Sequence, residues 1–310
     1  MSRTSQPVVC FSYLAAAELW QVPRFPLANY GAEVLDVARS IAADAPMAAA
    51  MLTALGVPTL LLANDIGNDQ KGSEVGVWLQ RYGVSTTARV KTDTTTPQTV
   101  VVADDDSTRT WFSHLRGVSD ALTVVDLSPF LSASFAYIDC YQLIEASAAC
   151  AIQAARSAGV PLLVNLGGSQ LSSTVIAAVR GYAGLIIQSN ADEAACADAP
   201  RVAHEVLAAT GAAWVVITAG TAGAVALSGN QQLASPAFRV RVRHTHCAGA
   251  AFSGGLIYGL LHDRPMEDCL TLACASGALR CERAHHEPLP TLSELHSVIG
   301  SRERLILPAA

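Results

Sequence analysis

The sequence predicts an α/β fold, a mostly parallel sheet covered by helices on both faces, and three observations predict it. Short apolar runs rich in β-formers alternate with longer Ala- and Leu-rich segments of helical period. Of the 310 residues, 51% are hydrophobic and 15% charged, which supplies a large core and excludes intrinsic disorder. No repeat or low-complexity linker divides the chain, so one domain spanning 1–310 is expected, with a small lid.

In chain order, the strand candidates are Val8–Phe11, Thr59–Ala63, Tyr137–Ile138, Pro161–Asn165, Gly184–Gln188 and Trp214–Thr218. The helix candidates are Pro46–Leu55, Ser73–Tyr82, Ser147–Ser157, Ser172–Val179, Ala191–Asp198 and Ala203–Thr210. Interleaved, they read βαβα. A different pattern interrupts them, because Thr99–Ala103 and Thr108–Phe112 flank the turn-forming Asp104-Asp105-Asp106-Ser107 and read as a hairpin projecting from the sheet. Near the other end, Ala251–Leu261 and Met266–Ala278 read as long apolar helices broken at His262-Asp263-Arg264-Pro265.

Charge and composition exclude several partners. A formal charge of −6 and a pI near 5.7 leave no broad basic field for a phosphate backbone, so no nucleic acid is expected. Mean hydropathy is +0.33, yet no stretch of about 18 apolar residues runs uninterrupted, so no membrane span is expected. The opening Met1-Ser2-Arg3-Thr4-Ser5-Gln6-Pro7 lacks the apolar run of a signal peptide, which makes the cytoplasm the default. The eight cysteines include no CxxC pair, and most are expected as buried, reduced thiols.

Several of these pieces, in this order, resemble the ribokinase (PfkB-type) family of ATP-dependent carbohydrate and nucleoside kinases. Leu55-Gly56-Val57-Pro58-Thr59 followed by Asp65-Ile66-Gly67-Asn68-Asp69-Gln70-Lys71-Gly72 is similar to that family's LG…GDDxxG stretch. The hairpin ending in Arg116-Gly117 is similar to its GeRtfxxxrGA run. Asn190-Ala191-Asp192-Glu193 matches its NxxE motif, and Thr218-Ala219-Gly220-Thr221-Ala222-Gly223 its TxGxxG loop. His244-Thr245-His246-Cys247-Ala248-Gly249-Ala250-Ala251-Phe252-Ser253-Gly254-Gly255-Leu256 lines up with its signature DTxGAGDAFxGGL. The resemblance covers nearly the whole chain. It implies a three-layer αβα sandwich with a small β lid from roughly 13–38 and 94–113, ATP and Mg²⁺ as cofactors, and a small hydroxylated substrate. It also admits a homodimer joined through the lid.

The residues themselves bear on this chemistry. Phosphoryl transfer to a hydroxyl needs a placed terminal phosphate, neutralised charge and an acceptor for the hydroxyl proton. Cys247, Ala248 and Gly249 are small and precede an apolar helix, so backbone N–H groups there can approach an anion. The resemblance makes this the anion hole; the competing reading is tight helix–sheet packing at Gly249 and Ala250. Asn190 and Glu193 follow a strand at the edge where α/β sheets bind ligands. The resemblance gives them a water-mediated magnesium role, and a capping box is the competing reading, compatible with the first. Thr218, Gly220 and Gly223 are nucleotide-loop positions or a plain strand turn, and the resemblance adds Cys274 on the nucleotide side.

The departures are as informative. Where the family has its catalytic Asp stands Ala250, which cannot accept a proton; a positioned base contributes about 10²–10⁴-fold in rate. The family's substrate-binding Asp falls at Ala17, with Glu18 beside it as a register-shifted substitute. Its paired glycines correspond to Ala42 and Ala43, its following Asn to Met47, its signature Gly to Cys247 and leading Asp to His244, and a later core-strand Asp to Asn165. With these changes the pocket becomes more apolar and suits a less polar acceptor. Asp44 and His246 are candidates for a replacement base. His244 and His246, on a strand-like approach, would face one way and with Cys247 mimic a metal site, or be structural. His285-His286 reads as a solvated loop. Tyr13, Trp20, Trp111 and Phe112 either line a pocket or pack the lid against the sheet. Two functions stay open, an ATP-dependent phosphotransferase with a disabled base position, and a pseudokinase that binds a nucleotide or metabolite. Other chemistry at the phosphate cradle is a weaker third.

Overall fold

A computed structural model describes residues 5–105, 109–191 and 197–306. The chain starts with β1 (Val8–Phe11), every residue buried, and then leaves the main sheet as β2 (Ala15–Gln21) and β3 (Asp36–Ala42). Helix α1 (Ala45–Ala54) carries Pro46 in its first turn, where the missing N–H has no intrahelical partner to lose. It returns the chain to β4 (Thr59–Leu62). The short strands β5 (Ile66–Gly67) and β6 (Val90–Lys91) pair around α2 (Gln70–Arg81). The expected hairpin follows as β7 (Gln98–Ala103) and β8 (Arg109–His114), its turn residues 106–108 lying outside the described residues.

From there α3 (Val118–Thr123), β9 (Phe135–Asp139), α4 (Glu145–Ser157), β10 (Leu162–Asn165), α5 (Ser173–Val179), β11 (Leu185–Asn190), α6 (Ala199–Thr210) and β12 (Trp214–Thr218) alternate as the apolar pattern requires. The antiparallel strands β13 (Ala224–Leu227) and β14 (Gln232–Ser235) extend one edge. Three helices close the chain: α7 (Ala248–Leu261), α8 (Met266–Glu282) and α9 (Leu292–Ile306). Most of the expected helix Ala191–Asp198 falls on residues 192–196, outside the described residues.

The main sheet runs β14-β13-β12-β11-β10-β9-β1-β4, and its strands from β12 to β4 are parallel. Along β1, Val8 and Cys10 enter the core beneath α1, α2, α7 and α8, whereas Val9 and Phe11 enter the one beneath α3, α4, α5 and α6. This period-two split of one strand between two cores makes the fold three-layered. The second sheet, β3-β2-β7-β8, is built from the two segments expected as a lid and is called the lid.

Helix α7 is glycine-rich because it is wedged between α1 and α8. A Cβ on Gly254 would lie 2.7 Å from Met51 Cβ, and one on Gly255 2.4 Å from Ser276 Oγ. No described helix is long and apolar enough to cross a membrane.

Three expectations need correction. The segment carrying His244 and His246 is not a strand, yet both rings meet His285, stacked at 3.8 Å and edge-on at 5.8 Å between centroids. His285 is accordingly half-buried rather than solvated, with Arg280 Nη2 3.4 Å from its Nδ1. Trp111 and Phe112 do not pack the lid against the sheet, being 65% and 64% exposed on an edge strand. Among the described cysteines all are buried except Cys150.

Candidate active site

The start of α7 is the centre of the site. Cys247 caps it with left-handed backbone, φ 59°, and Ala248, Gly249 and Ala250 form the first turn. A Cβ built on Gly249 meets nothing within 4 Å, so this glycine is not explained by packing and its backbone borders open space. Ala250, by contrast, is fully buried. Gln188 on β11 ties the turn to the sheet. Its Nε2 donates to the Gly249 carbonyl at 3.4 Å, and the Ser253 hydroxyl donates to Gln188 Oε1 at 2.9 Å.

Two residues beyond Gln188 is Asn190, exposed at the C-terminal edge of the sheet and directly paired with Thr218 of β12. The strand order thus brings Asn190, Thr218 and the α7 turn to one edge, where open α/β sheets bind ligands. Glu193 lies outside the described residues. Gly220 begins a single 3-10 turn after β12. Gly223, at φ 93°, is required by the chain's own packing, since a Cβ there would sit 2.1 Å from the Ser235 carbonyl. Cys274 is buried on α8, with its Sγ 3.7 Å from that same carbonyl.

The acceptor side holds a constellation that only the folded chain assembles. Asp139 ends β9, fully buried, and accepts from the backbone N–H of Ala45 at 2.9 Å and of Asp44 at 3.2 Å. Asn165, on neighbouring β10, donates through Nδ2 to Asp139 Oδ1 at 2.8 Å and to Asp44 Oδ2 at 2.9 Å. Tyr141 donates its hydroxyl to Asp44 Oδ2 at 2.7 Å. Burial, and then the nearby Asp44 charge, push Asp139 up to about 7 against the Asn165 hydrogen bond. Asp139 and Tyr141 carry no motif and were missed by sequence reasoning; an acid closing an apolar strand run at a sheet's C-terminal edge is the signal that could have found Asp139.

The remaining acceptor-side positions divide. Ala17, Ala42 and Met47 are all but fully buried. Ala43 is half-buried at φ 71°, a left-handed conformation held without a glycine. Glu18 points to the opposite face of β2 from Ala17, as successive strand residues do. Its carboxylate is committed to Lys71 Nζ at 3.0 Å and to the Trp20 indole N–H at 3.1 Å. It does not substitute for an acid at position 17. Trp111 shares the lid face of Ala17 and Leu19, through the registers Leu19 to Val101 and Val101 to Trp111.

Cys247 lies between charges of both signs. Burial first and Asp44 next push its thiol up to about 12, while Arg280 and Arg109 pull the other way. Arg109 of the lid donates to the Thr245 carbonyl at 3.0 Å, which brings the lid to the α7 turn. His246 Nε2 lies 3.2 Å from the Ile41 carbonyl, and burial holds its ring well below the usual imidazole range. Its ring is therefore neutral at physiological pH. Among the described residues no group of three His, Cys, Asp or Glu could hold a metal ion.

A family model described as pfkB family carbohydrate kinase matches residues 48–291. Among solved structures, the chain is similar to ribokinase of Arabidopsis thaliana complexed with ribose and ATP, at 17% identity and TM-score 0.76 over 95% of this chain and 98% of that one. It is also similar to the ribokinase of Cryptococcus neoformans in complex with ADP, at 17% identity and TM-score 0.76 over 94% and 99%. The nucleoside kinase of Methanocaldococcus jannaschii matches at 15% identity and TM-score 0.72, over 96% and 98%.

Proposed function

This chain belongs to the pfkB family of carbohydrate kinases, and on that premise we propose that it is an ATP-dependent phosphotransferase scaffold for the hydroxyl of a sugar, cyclitol or nucleoside-like molecule, with the position of its base occupied by Ala250. The observation that carries this reading is the open backbone at Gly249, on a helix N-terminus between a carboxylate pair and two arginines. The terminal phosphoryl group of ATP would rest against the N–H groups of this turn, with its adenosine along Asn190 and Thr218. ADP and ATP in two of the similar ribokinases support that choice of nucleotide.

In the transfer, a bond forms between the acceptor oxygen and the γ-phosphorus, and the bond from that phosphorus to the β-bridging oxygen breaks. The acceptor's proton needs a base, and Ala250 offers none. Asp44, half-buried and held by Asn165 and Tyr141, is the carboxylate left on the acceptor side to take it. A magnesium ion would ride on the phosphates and its own waters beside Asn190.

A second reading, a protein that binds the nucleotide or a metabolite without turnover, is favoured by the fully buried methyl at position 250. Calorimetry with ATP and an ADP-release assay over sugars, cyclitols and nucleosides, on the native chain and on Ala250→Asp, separate the two. The phosphotransferase reading expects ATP binding by both chains and turnover rising by about 10²–10⁴ in the variant. A folded variant that binds ATP but releases no ADP with any acceptor supports the binding protein. Absence of ATP binding overturns the phosphotransferase reading and confines the second to a metabolite.

A further inference from the structure

Arg280 on α8 is the largest fully buried side chain of the described residues, 1% exposed, and it forms no ion pair among them. Burying a charge is costly unless a counter-charge accompanies it, and a guanidinium does not escape by losing its proton. Its described partners are uncharged. Nη1 lies 3.1 Å from His244 Nε2 and Nη2 3.4 Å from His285 Nδ1, so both ring nitrogens act as acceptors, while Nε has no partner. Asp36, exposed on β3, acts on His285 but does not pair with Arg280.

The charge is placed behind the α7 turn. Gly277, one turn before Arg280, approaches so closely that a Cβ on it would lie 3.2 Å from the Ala248 carbonyl. His244 comes three residues before the helix cap, and the exposed Arg109 reaches Thr245 from the lid side. A buried cation, a second cation and a helix N-terminus thus converge on one short segment bordering open space.

We propose that Arg280 is a positioning residue whose buried guanidinium supplies the fixed counter-charge for an anion at the start of α7, the terminal phosphoryl group of a polyphosphate chain. The imidazoles of His244 and His285 hold it there without neutralising it. Depressed imidazole protonation agrees, since burial, with Arg280 adding to it, pulls His285 down to about 4. The nature of the anion rests on the kinase reading; the need for one does not.

Inorganic tripolyphosphate tests this apart from the nucleoside. Calorimetry is expected to show tripolyphosphate binding to the native chain, weakened at least about tenfold in Arg280→Met and partly restored in Arg280→Lys, with adenosine affinity unchanged. Unchanged tripolyphosphate affinity in folded Arg280→Met, or none in the native chain, overturns the proposal. If Arg280→Met does not fold, the native chain decides. Its melting temperature must rise more in tripolyphosphate than in sodium chloride of equal ionic strength, and equal melting in the two salts overturns the assignment. Native protein that binds tripolyphosphate but not adenosine keeps the role of Arg280 and ends the nucleotide reading.

Discussion

Ala43 and Cys247 hold left-handed backbone, φ 71° and 59°, at the two positions that the resemblance aligns with glycines. Such a conformation costs an L-residue about 1–2 kcal/mol, so the surrounding fold imposes it. Both turns therefore take a conformation that suits glycine although neither residue is one. The same contrast marks the acceptor side, where Asn165 now bridges two acids. Asp139 is held protonated more tightly in the folded chain than in the unfolded one, whose Asp titrates near 3.9. Between about pH 4 and 7 the native state thus binds more protons, and this group's contribution to stability falls as pH rises, by up to about 1.4 kcal/mol per pH unit. Asp139→Asn should remove that fall. Denaturant unfolding of both chains across this range measures the difference, which isolates Asp139 from other groups; parallel curves would refute the shifted acid. Sequence reading reached Asp44 and Asn165 through the motifs that flank them, but not Asp139. A lone acid at a strand end acquires its meaning from the neighbouring strands, which bring positions 44, 139 and 165 within hydrogen-bond reach.

Among the elements, α2 shows a motif whose residues serve the fold. Asp69 caps it, accepting from Gly72 N–H at 2.7 Å, and also accepts from Thr96 N–H at 2.9 Å and Thr96 Oγ1 at 2.7 Å. Gly72 is obligatory beside it, since a Cβ there would meet the Gly67 carbonyl at 1.9 Å. The run Asp65 to Gly72, noticed for its family likeness, clamps α2 to the chain leading into β7. Asp69→Ala should cost about 2–3 kcal/mol in denaturant unfolding, through the lost cap and the stranded Thr96 N–H; a loss below about 0.5 kcal/mol would refute the clamp. The lid strands show the opposite failure of legibility. Ala15–Gln21, AAAELWQ, is rich in helix-favouring residues, and no local pattern marks it as a strand. Its β conformation comes from pairing with β3 on one side and β7 on the other, a tertiary override. The hairpin β7–β8 was legible because its turn chemistry is local. The two helices flanking His262 to Pro265 were legible too, because proline punctuates them.

At the scale of the whole molecule, the layered body was readable because strands buried on both faces are continuous apolar runs, and the charged surroundings of Cys247 were not, because those residues arrive from four distant stretches. Asp44, Arg109, Asp139 and Arg280 all act on Cys247, yet no two are close in sequence. The lid raises a further question at this scale. Phe112 and Val37, 64% and 51% exposed, share the face opposite Ala17, through the registers Val100 to Phe112 and Trp20 to Val37. The adjoining loop adds Leu27, Tyr30 and Leu35, at 78%, 76% and 55%. Large apolar side chains left in solvent on one sheet face and its adjoining loop mark an interaction surface. A second copy of this chain is the occupant we propose, following the resemblance, which admits a homodimer joined through the lid, and an isologous contact would let two copies of this patch cover each other. Sedimentation of the native protein should give a dimer at micromolar concentration, and Phe112→Glu with Val37→Glu a folded monomer, since four carboxylates would then be buried per interface. The substituted positions face away from Ala17 and the acceptor side, so ATP affinity should survive in that monomer. A native chain that sediments as a monomer throughout, or a doubly substituted one that still dimerises, would remove the lid as the contact.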